Sequence, residues 1–240
     1  MIKIGIAGAS GKMGREVIKA VLNDKETELI AAADVMNAGQ DAGLIAAGKE
    51  CGVKIETDLK KMLSDKKPDV MIDFTQPSSV FENIKTYINS GVKSVIGTTG
   101  LTEEQLKTVK NMTAEKNTAC FIAPNFTTGA VLLMMFAKQA SKYFKNAEII
   151  ELHHNQKKDA PSGTAVKTAQ MMAEENPDFT FGNCPETELM QGARGAEAQG
   201  NIHIHSVRMP GYIASEEVIF GAQGQILKLY QKDLDIQTLQ

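Results

Sequence analysis

The sequence predicts an α/β protein, with a doubly wound parallel sheet in the N-terminal half and a second, α+β domain carrying a mixed or antiparallel sheet. Three observations predict it. Short apolar runs alternate with helical patterns up to about residue 124, and a glycine-rich turn follows the first of those runs. The last third carries neighbouring strand-like runs with Gly or Pro between them.

The elements follow in order. Residues 2–7 (IKIGIA) form a short apolar run closed by glycine, the pattern of a buried strand. From Gly11 the period changes, and Met13, Val17, Ala20 and Val21 share one helical face. Strand-like runs recur at 28–33, 70–74, 92–96 and 118–122, with helical patterns at 78–90 and 102–115. Thr102 and Gln105 have the spacing of a capping box. Beyond Pro124 the predicted elements are a long apolar helix over 128–144, a strand at 147–154, a helix from Ser162, and strands at 201–208, 216–222 and 225–230. The boundary falls near Asn125, giving domains 1–124 and 125–240.

Composition narrows the partners. The 26 Lys and Arg against 29 Asp and Glu give a net charge of -3, so no global positive field attracts nucleic acid or an anionic membrane. An anionic ligand must be held by local groups. Cys51, Cys120 and Cys184 are odd in number and far apart, which indicates neither a disulfide framework nor a cysteine-rich zinc site. The apolar stretch 130–137 is too short to span a bilayer, and the N-terminus lacks signal-peptide architecture. A cytoplasmic location is expected.

The turn Gly8-Ala9-Ser10-Gly11-Lys12-Met13-Gly14 lies between the first strand and the first helix. Glycines there let the backbone approach a pyrophosphate at the helix N-terminus; a tight turn with close helix–strand packing has the same signature. Asp34 follows Gly14 by 20 residues at the end of the second strand, where a carboxylate binds a ribose hydroxyl. Val35 cannot pair with a 2′-phosphate, which favours NADH over NADPH, although Lys12 lies close by.

The densest chemistry lies in Glu151-Leu152-His153-His154-Asn155-Gln156-Lys157-Lys158-Asp159-Ala160-Pro161-Ser162-Gly163-Thr164. Imidazole donates a proton near neutral pH, and a nearby lysine holds a carboxylate or assists protonation. Ser162 caps a helix, and Gly163 lets its exposed amides meet an anion. A structural histidine and a solvated lysine loop are the alternatives. His203 and His205 alternate on a strand; with His153 or His154 they would make a metal site, but a plain strand surface explains them equally, and no metal is expected.

These residues bring out a resemblance. The chain resembles the dihydrodipicolinate reductase family, the 4-hydroxy-tetrahydrodipicolinate reductases. The segments carrying it are GASGKMG, Asp73-Phe74-Thr75, Gly97-Thr98-Thr99-Gly100, Ala123-Pro124-Asn125-Phe126, ELHHNQKKDAPSGTA, His205-Ser206-Val207-Arg208 and Glu217-Val218-Ile219-Phe220. The resemblance implies a Rossmann-like first domain, a second domain whose sheet builds a homotetramer, and reduction of a cyclic dicarboxylic precursor of diaminopimelate and lysine by NADH or NADPH. It implies that Gly8, Ala9, Ser10, Gly11, Lys12, Met13 and Asp34 hold the cofactor. Gly97, Thr98 and Thr99 would line the nicotinamide ribose region, with Ala123, Pro124, Asn125 and Phe126 at a hinge. His153 matches the proton donor and Lys157 a second acid–base or carboxylate-binding group. His154 and the amides of Gly163 and Thr164 match substrate-carboxylate ligands.

Two departures stand out. Asn155 and Gln156 occupy positions that are often basic in relatives, so the loop is less positive. Relatives also continue past the last strand into a helical segment that returns to the nucleotide domain, whereas this sequence runs to Gln240 through Lys232-Asp233-Leu234-Asp235-Ile236-Gln237; exposed apolar surface and weaker domain coupling are the expected result. Competing expectations are a semialdehyde or amino-acid dehydrogenase using Cys184 as nucleophile, and a nucleotide-binding protein without turnover.

Overall fold

The computed structural model describes residues 1–123, 125–180 and 184–234. It divides into two compact units, Met1–Pro124 and Asn125–Gln240. Pro124 and the stretch from Asp235 onward, both singled out in the sequence, lie outside the described residues.

The first unit runs β1 (Ile2–Ala7), α1 (Lys12–Asn23), β2 (Thr27–Ala33), α2 (Ala42–Ala47), β3 (Ile55–Glu56), α3 (Leu59–Lys66), β4 (Val70–Asp73), α4 (Pro77–Asn89), β5 (Lys93–Ile96), α5 (Glu103–Glu115) and β6 (Cys120–Ile122). Its strands pair in parallel in the order β3-β2-β1-β4-β5-β6. The winding reverses between β1 and β4, which sets a ligand crevice beyond the carboxyl ends of those strands.

Strand alternation splits the core between the two faces. Ile4 and Ile6 of β1 join Ile18 and Val21 of α1 on one side, while Ala7 joins Met62, Val80, Ile84 and Tyr87 on the other. Helix α1 buries Gly14, Ile18 and Val21. Of the face expected from Met13, Val17, Ala20 and Val21, Val21 is buried and Val17 packs against the same cluster, while Ala20 is exposed, because the sheet takes the i, i+4, i+7 set that begins at a glycine able to touch the strand. The Thr102–Gln105 box forms as expected, with Gln105 N donating to Thr102 Oγ1 at 3.2 Å and Thr102 N to Gln105 Oε1 at 2.9 Å. Elements α2, β3 and α3 do not stand out in the sequence. Their periodic signal is short, although Asp41 and Asp58 cap the two helices by accepting from Leu44 N and Lys61 N.

The second unit runs α6 (Thr128–Ala140), β7 (Asn146–His153), α7 (Gly163–Glu175), β8 (Ala196–Ala198), β9 (Ile202–Arg208), β10 (Ala214–Ala222) and β11 (Gln225–Asp233), with strand order β11-β10-β7-β9-β8. All neighbours are antiparallel except β7 and β9, whose parallel pairing uses α7 within the crossover between them. The apolar helix stops at Ala140, short of 144. There Ser141 Oγ donates back to Ala137 O, and the Asn176 side-chain amide satisfies the Ser141 and Phe144 carbonyls. Ala147, Ile149, Ile202, Ile204, Val218 and Phe220 pack against Leu133, Ala137, Ala165, Ala169 and Met172 of the helices. Fully burying an Ile or Phe side chain contributes about 1.5–3 kcal/mol, so this layer holds the central strand β7, which ends at His153.

Candidate active site

In the first unit, several residues named from the sequence begin the loops beyond the carboxyl ends of their strands. Gly8 follows β1, Asp34 follows β2, Gly97 follows β5 and Ala123 follows β6. Each is tied to the neighbouring strand by its amide: Gly8 N to Ala33 O, Asp34 N to Glu56 O, Gly97 N to Asp73 O and Ala123 N to Ile96 O.

The turn is built for a close approach. Gly8 has φ 79° and its missing Cβ would overlap the Phe74 carbonyl, while a Cβ at Gly14 would overlap the Gly8 carbonyl. Gly11 caps α1 without a side chain, which leaves first-turn amides, those of Lys12 and Met13 among them, to face an anion. Asp34 locks the turn from the next strand: Oδ2 accepts from Ser10 N at 2.9 Å and Oδ1 from Met36 N at 2.8 Å. Arg15 adds a clasp, with Nε donating to the Ser10 carbonyl at 2.9 Å. A cradle open at backbone level with a carboxylate at its rim fits a dinucleotide.

Thr98 turns its hydroxyl inward. It is buried and lies 3.3 Å from Asp73 Oδ1, beside half-buried Gly97 and Thr99. Asp73 is fully buried and accepts from Thr75 N, Thr75 Oγ1, Asn83 Nδ2 and Tyr87 Oη. Burial and this carboxylate together push the Tyr87 phenol well above its usual range.

In the second unit one carboxylate organises the chemistry. Glu151 is fully buried on β7, two residues before His153 and on the same face. His153 Nδ1 lies 2.5 Å from Glu151 Oε2. Arg208 Nη1 donates to Oε2 at 2.8 Å and Nη2 to Oε1 at 2.7 Å. Ser162 N donates to Oε1 at 3.2 Å. Burial raises the Glu151 carboxyl, but hydrogen bonds from His153, Arg208 and Ser206 outweigh it and bring it down to about 2. With Nδ1 held, His153 keeps Nε2 for a ligand.

The same carboxylate draws in the start of α7. Ser162 caps that helix, its Oγ accepting from Ala165 N, so Gly163 and Thr164 open the first turn beside Glu151. Asn125 directs Nδ2 to Thr164 Oγ1 at 3.3 Å, while its Oδ1 accepts from Thr127. Phe126 is half-buried beside it in sequence. His154 Nδ1 accepts from Gln156 N. Lys157 is gripped by Asp159, with Nζ donating to both oxygens at 2.8 and 2.9 Å.

His203 and His205 do not join His153. They pair with Glu148 and Ile150 on β7, positions of the opposite face from Glu151 and His153, and His205 Nε2 bonds Glu148 at 2.8 Å. Among the described residues no cluster of three or more His, Cys, Asp or Glu side chains is arranged to hold a metal ion. Cys184 is exposed, its thiol 3.8 Å from the Pro185 carbonyl. No helix among the described residues is long and apolar enough to cross a membrane.

Two family profiles match the chain end to end: "Dihydrodipicolinate reductase, N-terminus" over residues 2–126 and "Dihydrodipicolinate reductase, C-terminus" over residues 129–239. The chain belongs to the dihydrodipicolinate reductase family. It is therefore an oxidoreductase on a dinucleotide-binding fold, as the sequence predicted. It is 47% identical to the 4-hydroxy-tetrahydrodipicolinate reductase of Listeria welshimeri, covering 98% of this chain and 89% of that one. It is 52% identical to the enzyme of the same name from Picosynechococcus sp., covering 95% and 85%. Among solved structures it is similar to the dipicolinate-bound dihydrodipicolinate reductase from Paenisporosarcina sp., at 42% identity and a TM-score of 0.78, covering 100% of this chain and 90% of that chain.

Within this member of the dihydrodipicolinate reductase family, Glu151 and Arg208 are the site residues to which sequence reasoning assigns no role. One acidic residue among 29 does not stand out. A charged residue inside the apolar strand, on the same face as a histidine, is the available signal.

Proposed function

We propose that this chain reduces 4-hydroxy-tetrahydrodipicolinate to tetrahydrodipicolinate, a step of the diaminopimelate route to lysine. The observation that carries the proposal is the Glu151 carboxylate, which gathers His153, Arg208 and the N-terminus of α7 around one point. A bound reduced nicotinamide dinucleotide supplies the hydride. The glycine cradle from Gly8 to Met13 holds its pyrophosphate at the start of α1, and Asp34 accepts from a ribose hydroxyl. Backbone of Gly97, Thr98 and Thr99, with Ala123, would line the nicotinamide end. Val35, 85% exposed beside Asp34, offers no cation to a 2′-phosphate, which supports NADH; Lys12 is the one basic group of the turn.

His153 delivers the proton. Glu151 fixes its Nδ1–H and steadies the imidazolium, so Nε2 donates as the ring loses water. The substrate's two carboxylates need two holders. The amides of Gly163 and Thr164 at the thirteen-residue helix α7 form one, and Lys157 with His154 forms the other. Asp159 keeps the Lys157 ammonium in place until a substrate carboxylate competes for it.

The second unit is proposed to assemble a homotetramer through the outer face of its sheet, where Ile226 and Tyr230 are exposed. Analytical ultracentrifugation reads this directly; a monomer overturns it. The three unpaired cysteines accord with a cytoplasmic location.

The deciding experiment follows NADH and NADPH oxidation by absorbance, with substrate made in situ from pyruvate and aspartate semialdehyde by the upstream aldolase. Substrate-dependent oxidation that collapses in His153→Ala supports the reductase and its acid. Cofactor binding without turnover makes the chain a nucleotide-binding protein.

A further inference from the structure

The inner face of the five-stranded sheet changes character in one ladder step. The row Leu229, Val218, Ile149 and Ile204 is apolar, and the next row toward His153 is Gln231, Glu216, Glu151 and Ser206. Glu151 and Glu216 therefore stand directly opposite each other across β7 and β10, and both are buried. Directly opposed side chains on antiparallel strands have Cβ atoms roughly 5 Å apart, and like charges there are destabilising.

The two carboxyls are not equivalent. Glu151 has His153, Arg208 and Ser162, while Glu216 Oε1 has no hydrogen-bond partner and the other contact of this carboxyl is the buried hydroxyl of Thr168. Thr168 Oγ1 already donates to the Thr164 carbonyl at 3.0 Å. A hydroxyl has one hydrogen, so while that bond stands the Glu216 carboxyl must be the donor to Thr168, which requires its proton. The titratable groups facing Glu216 are Glu151 and His153 from β7, Arg208 from β9 and Asp233 from β11. From the helices, α7 brings Thr168, and Lys138 of α6 is engaged by Glu175. The one arginine in this set spends its guanidinium on Glu151. Burial first, together with the Glu151 charge, raises the Glu216 carboxyl to about 7.

We propose that Glu216 is a positioning residue that works as a neutral carboxylic acid, holding the first turn of α7 through Thr168 and leaving Glu151 as the anion hydrogen-bonded to His153. A buried acid kept neutral so that it can donate has precedent in enzyme sites. Its ionisation turns the Thr168 hydroxyl away from Thr164 and sets a second anion against Glu151. The substrate-carboxylate site at the start of α7 then weakens. The role of that site rests on the reductase function assigned above; the protonation state of Glu216 does not.

Two measurements test it. Difference infrared spectroscopy on the substrate-free protein should show the carbonyl band of a buried protonated carboxyl below neutral pH, lost above it and absent from Glu216→Gln. The affinity for dipicolinate, a stable dicarboxylate, and kcat/KM should fall about tenfold per pH unit above that ionisation in the wild type. In Glu216→Gln, which still donates but cannot ionise, that limb should flatten for both. An absent band, or identical pH profiles in the two proteins, overturns the proposal. Should Glu216→Gln not fold, Thr168→Val decides it: removing the hydroxyl must move the wild-type band, and an unmoved band overturns the proposal. A wild type without turnover sinks the reductase assignment, while the infrared and dipicolinate arms still judge Glu216.

Discussion

Arg208 grips both carboxylate oxygens of Glu151 from the adjacent parallel strand, reaching back one pleat from its own ladder partner, His153. The same guanidinium donates to the Asp159 carbonyl at 2.7 Å, so it also ties down the loop that carries Lys157. A planar five-donor group suits this geometry and a lysine does not.

Arg208→Lys should therefore keep the charge but lose the paired bonds, and Arg208→Ala should leave Glu151 short of its main compensating charge. Breaking a buried pair from one side costs about 3–5 kcal/mol. Urea unfolding of the two variants should place alanine at that loss and lysine between it and the wild type. Equal stability of all three would show that the pair contributes nothing.

Glu151→Gln preserves shape while removing the anion that fixes Nδ1–H of His153. If Glu151 orients and steadies the acid, kcat should drop on the order of 10²-fold, with a smaller change in KM. Steady-state kinetics with saturating NADH reads this split. A variant with nearly wild-type kcat would mean that His153 needs no such support.

Cofactor choice turns on the residue after Asp34. Val35→Arg adds a cation where a 2′-phosphate would sit, and it should raise the NADPH to NADH ratio of kcat/KM by roughly tenfold. An unchanged ratio would locate the discrimination elsewhere, with Lys12 the next candidate.

The two opposed carboxyls give stability a two-sided pH dependence. Glu151 sits at about 2 in the fold, below its ordinary 4.5, so its contribution is full above 4.5 and is lost as pH falls toward 2. Glu216 sits at about 7, above its ordinary 4.5, so its contribution is full below 4.5 and is lost as pH rises through 7. The neutral-side loss is on the order of 3 kcal/mol, and Glu216→Gln should remove it while leaving the acid side intact. Denaturant midpoints across pH check the sign; a neutral-side slope that persists in the variant would refute it.

Much of this architecture is legible in the amino-acid sequence. The alternation of β1 through β6 with helices, the glycine turn and Asp34 follow from period and spacing, because the backbone that cradles a ligand is itself specified by glycines. His153, Lys157 and the Ser162–Gly163–Thr164 start of α7 are contiguous in sequence and so are visible together. Arg208 and Glu216 are not, since only the ladders of β7 with β9 and β10 bring them to Glu151 from more than fifty residues away. The fate of Thr98 is equally hidden, because which way a threonine turns depends on a buried acid, Asp73, on another strand. The short α2 and α3 escape for a different reason: each has fewer than three turns, too few for a periodic signal.

Asp73 has a consequence for how the first unit assembles. Its carboxylate draws hydrogen bonds from Thr75, Asn83, Tyr87 and Thr98, spread over the β4 turn, α4 and the loop after β5. A buried anion is tolerated only when its partners are all present, so any compact intermediate in which α4 has slipped by a turn, or β5 has docked out of register, strands that charge in an apolar layer. The residue acts as a proofreader of the folding chain: it adds little to the finished structure that a well-packed apolar side chain could not supply, but it makes the mispaired alternatives expensive. Asp73→Leu should then populate misfolded, aggregation-prone species during refolding more than it lowers the melting temperature of the molecules that do reach the native state.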